Sequence, residues 1–362
     1  MKRKLSTRQS VRPFAVPNRM MEDLEGRQLM SVTPASLANG TVNDTVFDAN
    51  TKRLHVIYYD TATKTLDYQS FGDDGTVSQV QVIDNSGDTG QYLSLAEDST
   101  GVLHAAYYDV QNGDLKYARR DLAGVWSTTT LDSRNTVGLY PSITIGADDK
   151  PAISYYYKNG GDLRFAQSTG SDWTFQILAT GNDVGRYSSL ELNANTGKFG
   201  VAFEDSTTGH FMYADQASVW NVATVDGATQ AGGGYISLNF NNGMPAFSYY
   251  DAFNADLKFA ERSSRGKWST TTVASNNSQG LYTDLAFTFD TNQPAIVYYN
   301  KTADSVMLTY RKTDGTWNFE TQVTGGGRNV TAADGLDNGG GAPALYLVWY
   351  DTASNQLKLD TF

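Results

Sequence analysis

The sequence predicts an all-β protein folded as a single seven-bladed β-propeller. Three observations lead to this fold class. A unit of about 48 residues recurs seven times, each unit divides into four short strand-like segments, and the second segment is apolar on both of its alternating faces. Blades stack face to face, so their middle strands are covered on both sides. The period decides the domain count, since 362 residues would fit one large domain or two ordinary ones.

Each unit carries a Tyr-Tyr-Asp motif or a close variant of it, as in "FSYYDAFNADLKFA" from Phe247 to Ala260. In every copy, six positions separate the acid from the Leu, Phe or Val that begins the following apolar pair. We expect the two tyrosines to point to opposite neighbouring blades and the acid to shape the loop. The acid position falls at Asp60, Asp109, Tyr157, Asp205, Asp251, Asn300 and Asp351, in steps of 49, 48, 48, 46, 49 and 51 residues.

The residue pattern of each unit predicts four strands in a fixed order. The first follows a Gly-x-Tyr entry, as in "GLYPSITIG" from Gly138, and ends in a Gly/Asn/Asp turn suited to a hairpin. The second is the Tyr-Tyr strand, the third is short, and the fourth opens with an aromatic residue. The tyrosine position of the entry is predicted at Val42, Tyr92, Tyr140, Tyr187, Tyr235, Tyr282 and Val330. The fourth strands open at Val77, Trp126, Trp173, Trp220, Trp268 and Trp317.

An N-terminal strand is expected to close the ring. The last copy reaches Phe362 after its third strand, and the first copy begins near Gly40. We therefore expect Leu29 to Leu37, "LMSVTPASL", to supply the fourth strand of the last blade, with Pro34 at an edge or a strand end. The predicted organisation is a basic segment over residues 1–31 and a propeller over residues 32–362.

Composition excludes several classes of partner. The chain has 28 basic and 39 acidic residues, a formal net charge of -11, and this repels a phosphate backbone, so no nucleic-acid partner is expected. It has no cysteine and three histidines, which excludes a thiolate zinc site and disfavours a histidine-rich one. The turns "FGDDG" and "GADDK" offer calcium-type oxygens without the spacing of a calcium loop, so calcium is kept as an alternative while no metal and no cofactor are expected. No apolar run in the basic segment is long enough for a membrane span. A monomer is expected.

The basic segment carries a targeting signature. Leu24, Glu25, Gly26, Arg27, Leu29, Met30 and Ser31 resemble the LEPR-XLL segment found near the N-terminus of exported bacterial proteins. Gly26 replaces the usual Pro and Met30 the usual Leu. The resemblance implies an exported protein, located outside the cell or at its surface.

The Gly-x-Tyr entries and the acid loops are expected on one face of the ring, because the connections that carry them leave a blade at the same end. Tyrosine rings stack on the C–H faces of sugars and carboxylates accept hydroxyl protons, so this face is a candidate carbohydrate site. The simpler interpretation is that both positions build the blade, since they recur in every unit. The candidate ligand-binding residues are Tyr92, Tyr140, Tyr187, Tyr235, Tyr282, Asp60, Asp109, Asp205, Asp251 and Asp351.

The fourth copy departs most from the repeat. Glu204 replaces the second tyrosine, Asp205 follows, and His210 stands where other copies have Asp, Ser, Thr or Gln. Such a group could perform acid–base chemistry, which would make the protein a polysaccharide hydrolase or lyase. Repeat drift is the simpler explanation. The loops have one length in all copies, and uniform loops favour a binding or scaffold protein over an enzyme.

Residues 38–362 resemble the seven-bladed propellers of exported bacterial proteins. The Trp-Asp dipeptide of WD repeats and the Ser-x-Asp-x-Gly-x-x-Trp box of sialidases are missing. Fucose-binding fungal-type lectins are similar in blade size and aromatic content. The function predicted is a non-catalytic extracellular or cell-surface module that binds carbohydrate or protein through one face. A hydrolase or lyase with a site in the fourth repeat, and a structural envelope scaffold, are the alternatives.

Overall fold

The computed structural model describes residues 40–181, 183–227, 232–275, 278–288, 291–336, 343–351, 353–354 and 356–361. These residues form seven antiparallel sheets, which confirms the predicted propeller, and no helix occurs among them. Nor, therefore, does the described chain hold a helix that could span a membrane.

The strands follow one another within each blade in chain order. Blade 1 comprises β1 (Gly40–Asp48), β2 (Arg53–Asp60), β3 (Thr65–Gly72) and β4 (Gln81–Asp84). Blade 2 comprises β5 (Thr89–Glu97), β6 (Leu103–Asp109), β7 (Asp114–Arg120) and β8 (Trp126–Asp132). Blade 3 comprises β9 (Val137–Ile145), β10 (Pro151–Tyr157), β11 (Asp162–Ser168) and β12 (Trp173–Ala179). Blade 4 comprises β13 (Val184–Asn193), β14 (Lys198–Asp205), β15 (His210–Asp215) and β16 (Asn221–Asp226).

The remaining three blades repeat this plan. Blade 5 comprises β17 (Ser237–Asn241), β18 (Met244–Asp251), β19 (Asp256–Arg262) and β20 (Trp268–Ala274). Blade 6 comprises β21 (Gln279–Phe287), β22 (Pro294–Asn300), β23 (Ser305–Arg311) and β24 (Trp317–Thr324). Blade 7 comprises β25 (Arg328–Leu336), β26 (Pro343–Asp351) and β27 (Gln356–Thr361). The strand expected over Leu29–Leu37 as its fourth member lies outside the described residues.

The core lies between the blades. Each of seven hydrophobic clusters combines buried residues of two consecutive blades, and the seventh joins blade 7 to blade 1. The Tyr-Tyr pair divides between them: Tyr58 packs against blade 7, whereas Tyr59 packs against blade 2. The two tyrosines therefore face opposite neighbours, as alternation along a strand requires.

The aromatic residue that opens a fourth strand packs on the preceding blade. Each tryptophan contacts an aromatic ring on the third strand of the preceding blade. The contact is edge to face, with ring centroids 5.1–5.8 Å apart. The pairs are Tyr68–Trp126, Tyr117–Trp173, Phe165–Trp220, Tyr213–Trp268 and Phe259–Trp317. In blade 1, Val77 pairs with Phe71 as an isolated bridge in the position predicted for it, ahead of the regular strand β4.

The innermost strands surround the channel and are tied together by side chains. Two residues after the tyrosine position, a hydroxyl or carboxylate accepts a backbone N–H from the next blade at 2.8–3.2 Å. This satisfies amides on strand edges that face the channel. The acceptor–donor pairs are Asp44–Leu95, Ser94–Ile143, Ser142–Leu190, Ser189–Leu238, Ser237–Leu285 and Asp284–Ala332. Between blades 7 and 1, Thr331 donates to Asn43, which itself donates to the Asn329 carbonyl.

The register of blade 7 corrects one prediction. Leu139 pairs with Tyr156 in blade 3, and Arg328 pairs with Tyr350 in blade 7. The equivalent of Tyr140 is therefore Asn329, which has a φ of 50°, and not Val330. Val330 lies one residue too far along the chain, because the register of β25 shifts between Arg328 and Thr331.

Candidate functional site

Five tyrosines form a continuous arc at one end of the channel. Their ring centroids lie 4.4–5.5 Å from one neighbour to the next, and the rings are mutually tilted. Each ring is only partly buried. The tyrosine arc consists of Tyr92, Tyr140, Tyr187, Tyr235 and Tyr282. The structure thus brings together all five tyrosines that the sequence selected.

The backbone explains why the rings converge on the axis. All five tyrosines have a φ of 49–54°, in the left-handed region that non-glycine residues seldom adopt. The preceding glycines make this path possible. At Gly138, which has a φ of 94°, an added Cβ would lie 2.5 Å from the Cα of Leu115. The bulge therefore turns each tyrosine out of the sheet and towards its neighbours.

Two members of the arc have raised pKa values. Burial raises the pKa of Tyr140 and Tyr235, and the negative charge that a neighbouring phenol would carry on ionisation raises both further. The hydroxyls of these two tyrosines therefore stay protonated at any physiological pH, able to donate and accept hydrogen bonds. Part of each ring is covered by its neighbours in the arc, so a ligand would contact ring edges and hydroxyls as well as exposed ring faces.

The second tyrosine of each Tyr-Tyr pair lies behind the arc. Four such rings have centroids 6.2–6.4 Å from the arc member of the same blade. Tyr156 donates to Asp183, which also pairs with Arg186, and burial together with this bond raises the pKa of Tyr156 to about 12. A charged network thus adjoins the arc between blades 3 and 4.

The predicted acids instead bond within their own loops. In all five, the Oδ1 atom accepts backbone N–H groups two or three residues on, at 2.7–3.3 Å. In three of them the Oδ2 atom is also engaged, by Asn112, Asn254 or Ser354. These bonds fulfil the loop-building role that the sequence allowed. The five acids are Asp60, Asp109, Asp205, Asp251 and Asp351.

The three fourth-repeat candidates do not form one constellation. Glu204 is buried beside the entry to blade 5, where it accepts from Ser206 at 2.7 Å and from the Gly233 amide at 3.4 Å. Burial raises its pKa. Asp205 bonds its own loop, and His210 pairs with Asp205 through the strand ladder alone. Within the described chain no side-chain hydrogen bond or ion pair joins the three.

The other two histidines occupy equivalent positions in blades 1 and 2. His55 Nδ1 lies 2.7 Å from the Tyr68 hydroxyl, and His104 Nδ1 lies 2.6 Å from that of Tyr117. Burial lowers the pKa of His55 to about 4. Both rings are neutral packing residues of the second strand. No cluster of three metal-ligating side chains occurs in the described part of the chain.

Sequence reasoning missed two residues of blade 5. Tyr250 was treated only as a repeat position, and Phe253 only as loop. Phe253 is 61% exposed on the same face as the arc. An alignment of the seven loops contains the signal, because this position is small or polar in the other six. The equivalents are Ala62, Gln111, Asn159, Thr207, Thr302 and Ala353.

Comparison with solved structures places this chain among propellers that include lectins and a glycanase. The SapL1 lectin in complex with α-methyl fucoside matches with a TM-score of 0.54 and 12% identity, over 79% of this chain and 96% of that one. A fucose-recognising lectin from Aleuria aurantia, described as a six-bladed propeller, matches with a TM-score of 0.51 and 14% identity, over 74% and 90%. The α-L-arabinanase of Penicillium chrysogenum, complexed with arabinobiose, matches with a TM-score of 0.50 and 15% identity, over 76% and 93%.

These similarities establish the propeller fold. No family model matches the sequence, and no curated protein matches it. The chain described here has seven blades, one more than the Aleuria lectin. Residues of those proteins therefore do not transfer position by position.

Proposed function

We propose that this protein is a non-catalytic carbohydrate-binding propeller that acts outside the cytoplasm and holds its ligand over the tyrosine arc. The observation that carries the proposal is the arc itself, five partly exposed phenols from five consecutive blades at one end of the channel. A tyrosine combines an apolar ring with a polar hydroxyl, and a sugar combines C–H faces with hydroxyls.

Three further points support the proposal. The loops that follow the second strands have one length in all copies, and the five candidate acids in them accept hydrogen bonds from their own loop amides. Lectins that bind fucose share the fold. The segment Leu24–Ser31 resembles export segments, in keeping with a protein that meets glycans at the cell surface or in the medium.

The test is a glycan array followed by calorimetric titration with methyl glycosides, methyl α-fucoside included. Tyr140→Asn and Tyr187→Asn are the informative variants, because Asn329 already holds the same backbone conformation in blade 7. We expect each to weaken binding at least tenfold. Phe175→Asn is the control, since it removes an exposed aromatic residue from the outer strand β12.

Absence of binding across the array would contradict the proposal, as would unchanged affinity in both arc variants. A scaffold protein with no small ligand would then be the better interpretation. Shortening of a polysaccharide incubated with the wild-type protein would instead favour the enzyme.

A further inference from the structure

Blade 5 differs from its neighbours at the second tyrosine. In three other blades this hydroxyl donates to a carboxylate, in the pairs Tyr59–Asp88, Tyr156–Asp183 and Tyr299–Asp304. Tyr108 of blade 2 makes no such bond within the described chain, but it is buried. The Tyr250 hydroxyl has no hydrogen-bond partner within the described residues, and its side chain is partly exposed. The reason lies in the next entry segment. Asp88 and Asp183 stand four residues before an arc tyrosine, and Ser278 holds that position before Tyr282.

The loop that follows Tyr250 differs as well. Asp251 accepts the amides of Phe253 and Asn254 at 3.1 and 3.3 Å, so the loop has the same hydrogen bonds as its equivalents. It therefore needs no aromatic side chain, yet Phe253 extends from it with 61% of its surface exposed. A single exposed phenylalanine is ordinary. Here it lies three residues from a phenol that lacks a partner.

Both features adjoin the arc. The Tyr250 ring lies 6.4 Å from the ring of the arc member Tyr235. The amide of Ala252, next to Phe253, donates to the Gly232 carbonyl at 3.0 Å, which joins the loop to the segment leading into Tyr235. The Tyr250 ring and the loop that carries Phe253 thus both adjoin the part of the chain that holds the arc member Tyr235.

We infer that blade 5 carries a sugar subsite in which the Phe253 ring stacks on the C–H face of one residue of a glycan and the Tyr250 hydroxyl bonds one of its hydroxyls. The inference rests on the proposed function and adds a position to it. A glycan reaching from the arc to Phe253 would be an oligosaccharide, so the subsite would favour chains over single sugars.

The chemistry of the loop selects a neutral sugar. The Oδ2 atom of Asp251 accepts from the Asn254 side chain at 2.8 Å, so both carboxylate oxygens are in use. Lys258, the cation beside it, lies 2.6 Å from Asp226 and is held in the blade interface. A uronic or sialic acid would therefore find no uncommitted cation in this loop.

The experiment compares two variants with two matched controls. Phe253→Ala removes the exposed ring, and Gln111→Ala makes the same change at the equivalent position of blade 2. Tyr250→Phe removes only a hydroxyl, and Tyr108→Phe removes one from an equivalent tyrosine that is buried. The probes are neutral di- to tetrasaccharides identified on the array, titrated by calorimetry with ligand-observed NMR.

We expect Phe253→Ala to weaken oligosaccharide binding about five- to tenfold and Tyr250→Phe about threefold. Both controls should bind as the wild type does, and Phe253→Trp should preserve affinity. Unchanged binding by Phe253→Ala, together with loss of binding by Tyr140→Asn, would overturn the subsite and leave the proposed function intact. A wild-type protein that binds no glycan would overturn both.

Discussion

At the end of six of the seven second strands, one side chain accepts hydrogen bonds from amides of the loop that follows. Asp251 is fully buried and accepts two backbone amides and one side-chain amide. Asn300 does the same with one oxygen, accepting from Thr302 and Ala303 at 3.1 and 3.0 Å. Either residue thus shapes the loop, which explains why six copies have Asp or Asn at this position. Tyr157 in blade 3 is the exception.

We therefore expect Asp251→Ala to lower the free energy of unfolding by about 2 kcal/mol, because it leaves loop amides without their acceptor. Asp251→Asn should cost less than half of that, since its Oδ1 atom can still accept both amides. Equilibrium unfolding in urea measures the difference. Equal losses in the two variants would contradict the loop-building role.

For the tyrosine arc, the sequence predicted which residues lie together better than it predicted their contacts. Spacing alone was enough to place the five arc tyrosines at one channel end, because equivalent residues of a repeat occupy equivalent places. It could not show that their rings contact each other, since that depends on the channel radius and on a left-handed backbone at each position. Nor could it separate Tyr250 from Tyr59, which differ only through an acid in the next entry segment.

At the scale of the strand, a carboxylate of one blade joins it to a phenol and a cation of the next blade. At one interface, apolar residues occupy all three positions. The Tyr249 hydroxyl and the Lys258 ammonium both lie 2.6 Å from Oδ2 of Asp226 in the preceding blade. Similar groups join blades 1 and 2 and blades 2 and 3. At the interface of blades 3 and 4, Ala179, Phe203 and Met212 occupy the three positions. These interfaces thus have a polar set and an apolar set of residues. The interface of blades 5 and 6 is intermediate, with Ala274, Tyr298 and Met307 at the three positions.

This pattern predicts a strong coupling. Asp226→Ala alone should destabilise the protein by about 3 kcal/mol, because it removes the nearest carboxylate from a largely buried ammonium that keeps only Asp251 at 3.7 Å. Adding Tyr249→Phe and Lys258→Met reproduces the apolar set and should restore most of the loss. Chemical unfolding of the single and triple variants measures the recovery. A triple variant no more stable than Asp226→Ala would show that the apolar set depends on its own blades.

Across the whole ring, two carboxyls occupy positions where four blades have serine. Asp44 accepts the Leu95 amide, and Asp284 accepts the Ala332 amide, as the serines do for their neighbours. Burial in the wall of the channel, together with the charge of Asp284, raises the pKa of Asp44 to about 7. In the folded protein this carboxyl therefore holds its proton more tightly than in the unfolded chain.

The sign of the pH dependence follows from this difference. Between about pH 4 and pH 7 the folded state binds more protons at Asp44 than the unfolded state does, so the free energy of unfolding falls as pH rises through that window. Asp44→Ser removes the titration and keeps an acceptor for Leu95. We expect the free energy of unfolding of this variant to fall less steeply as pH rises. At pH 8 the variant should be more stable than the wild type by about 1–2 kcal/mol, a figure that allows for screening of the carboxylate by water in the channel. Asp148→Ser, which removes an exposed carboxylate from a hairpin, controls for net charge. If both variants follow the wild-type curve, the carboxyl of Asp44 is fully hydrated and the channel wall does not discriminate between its two protonation states.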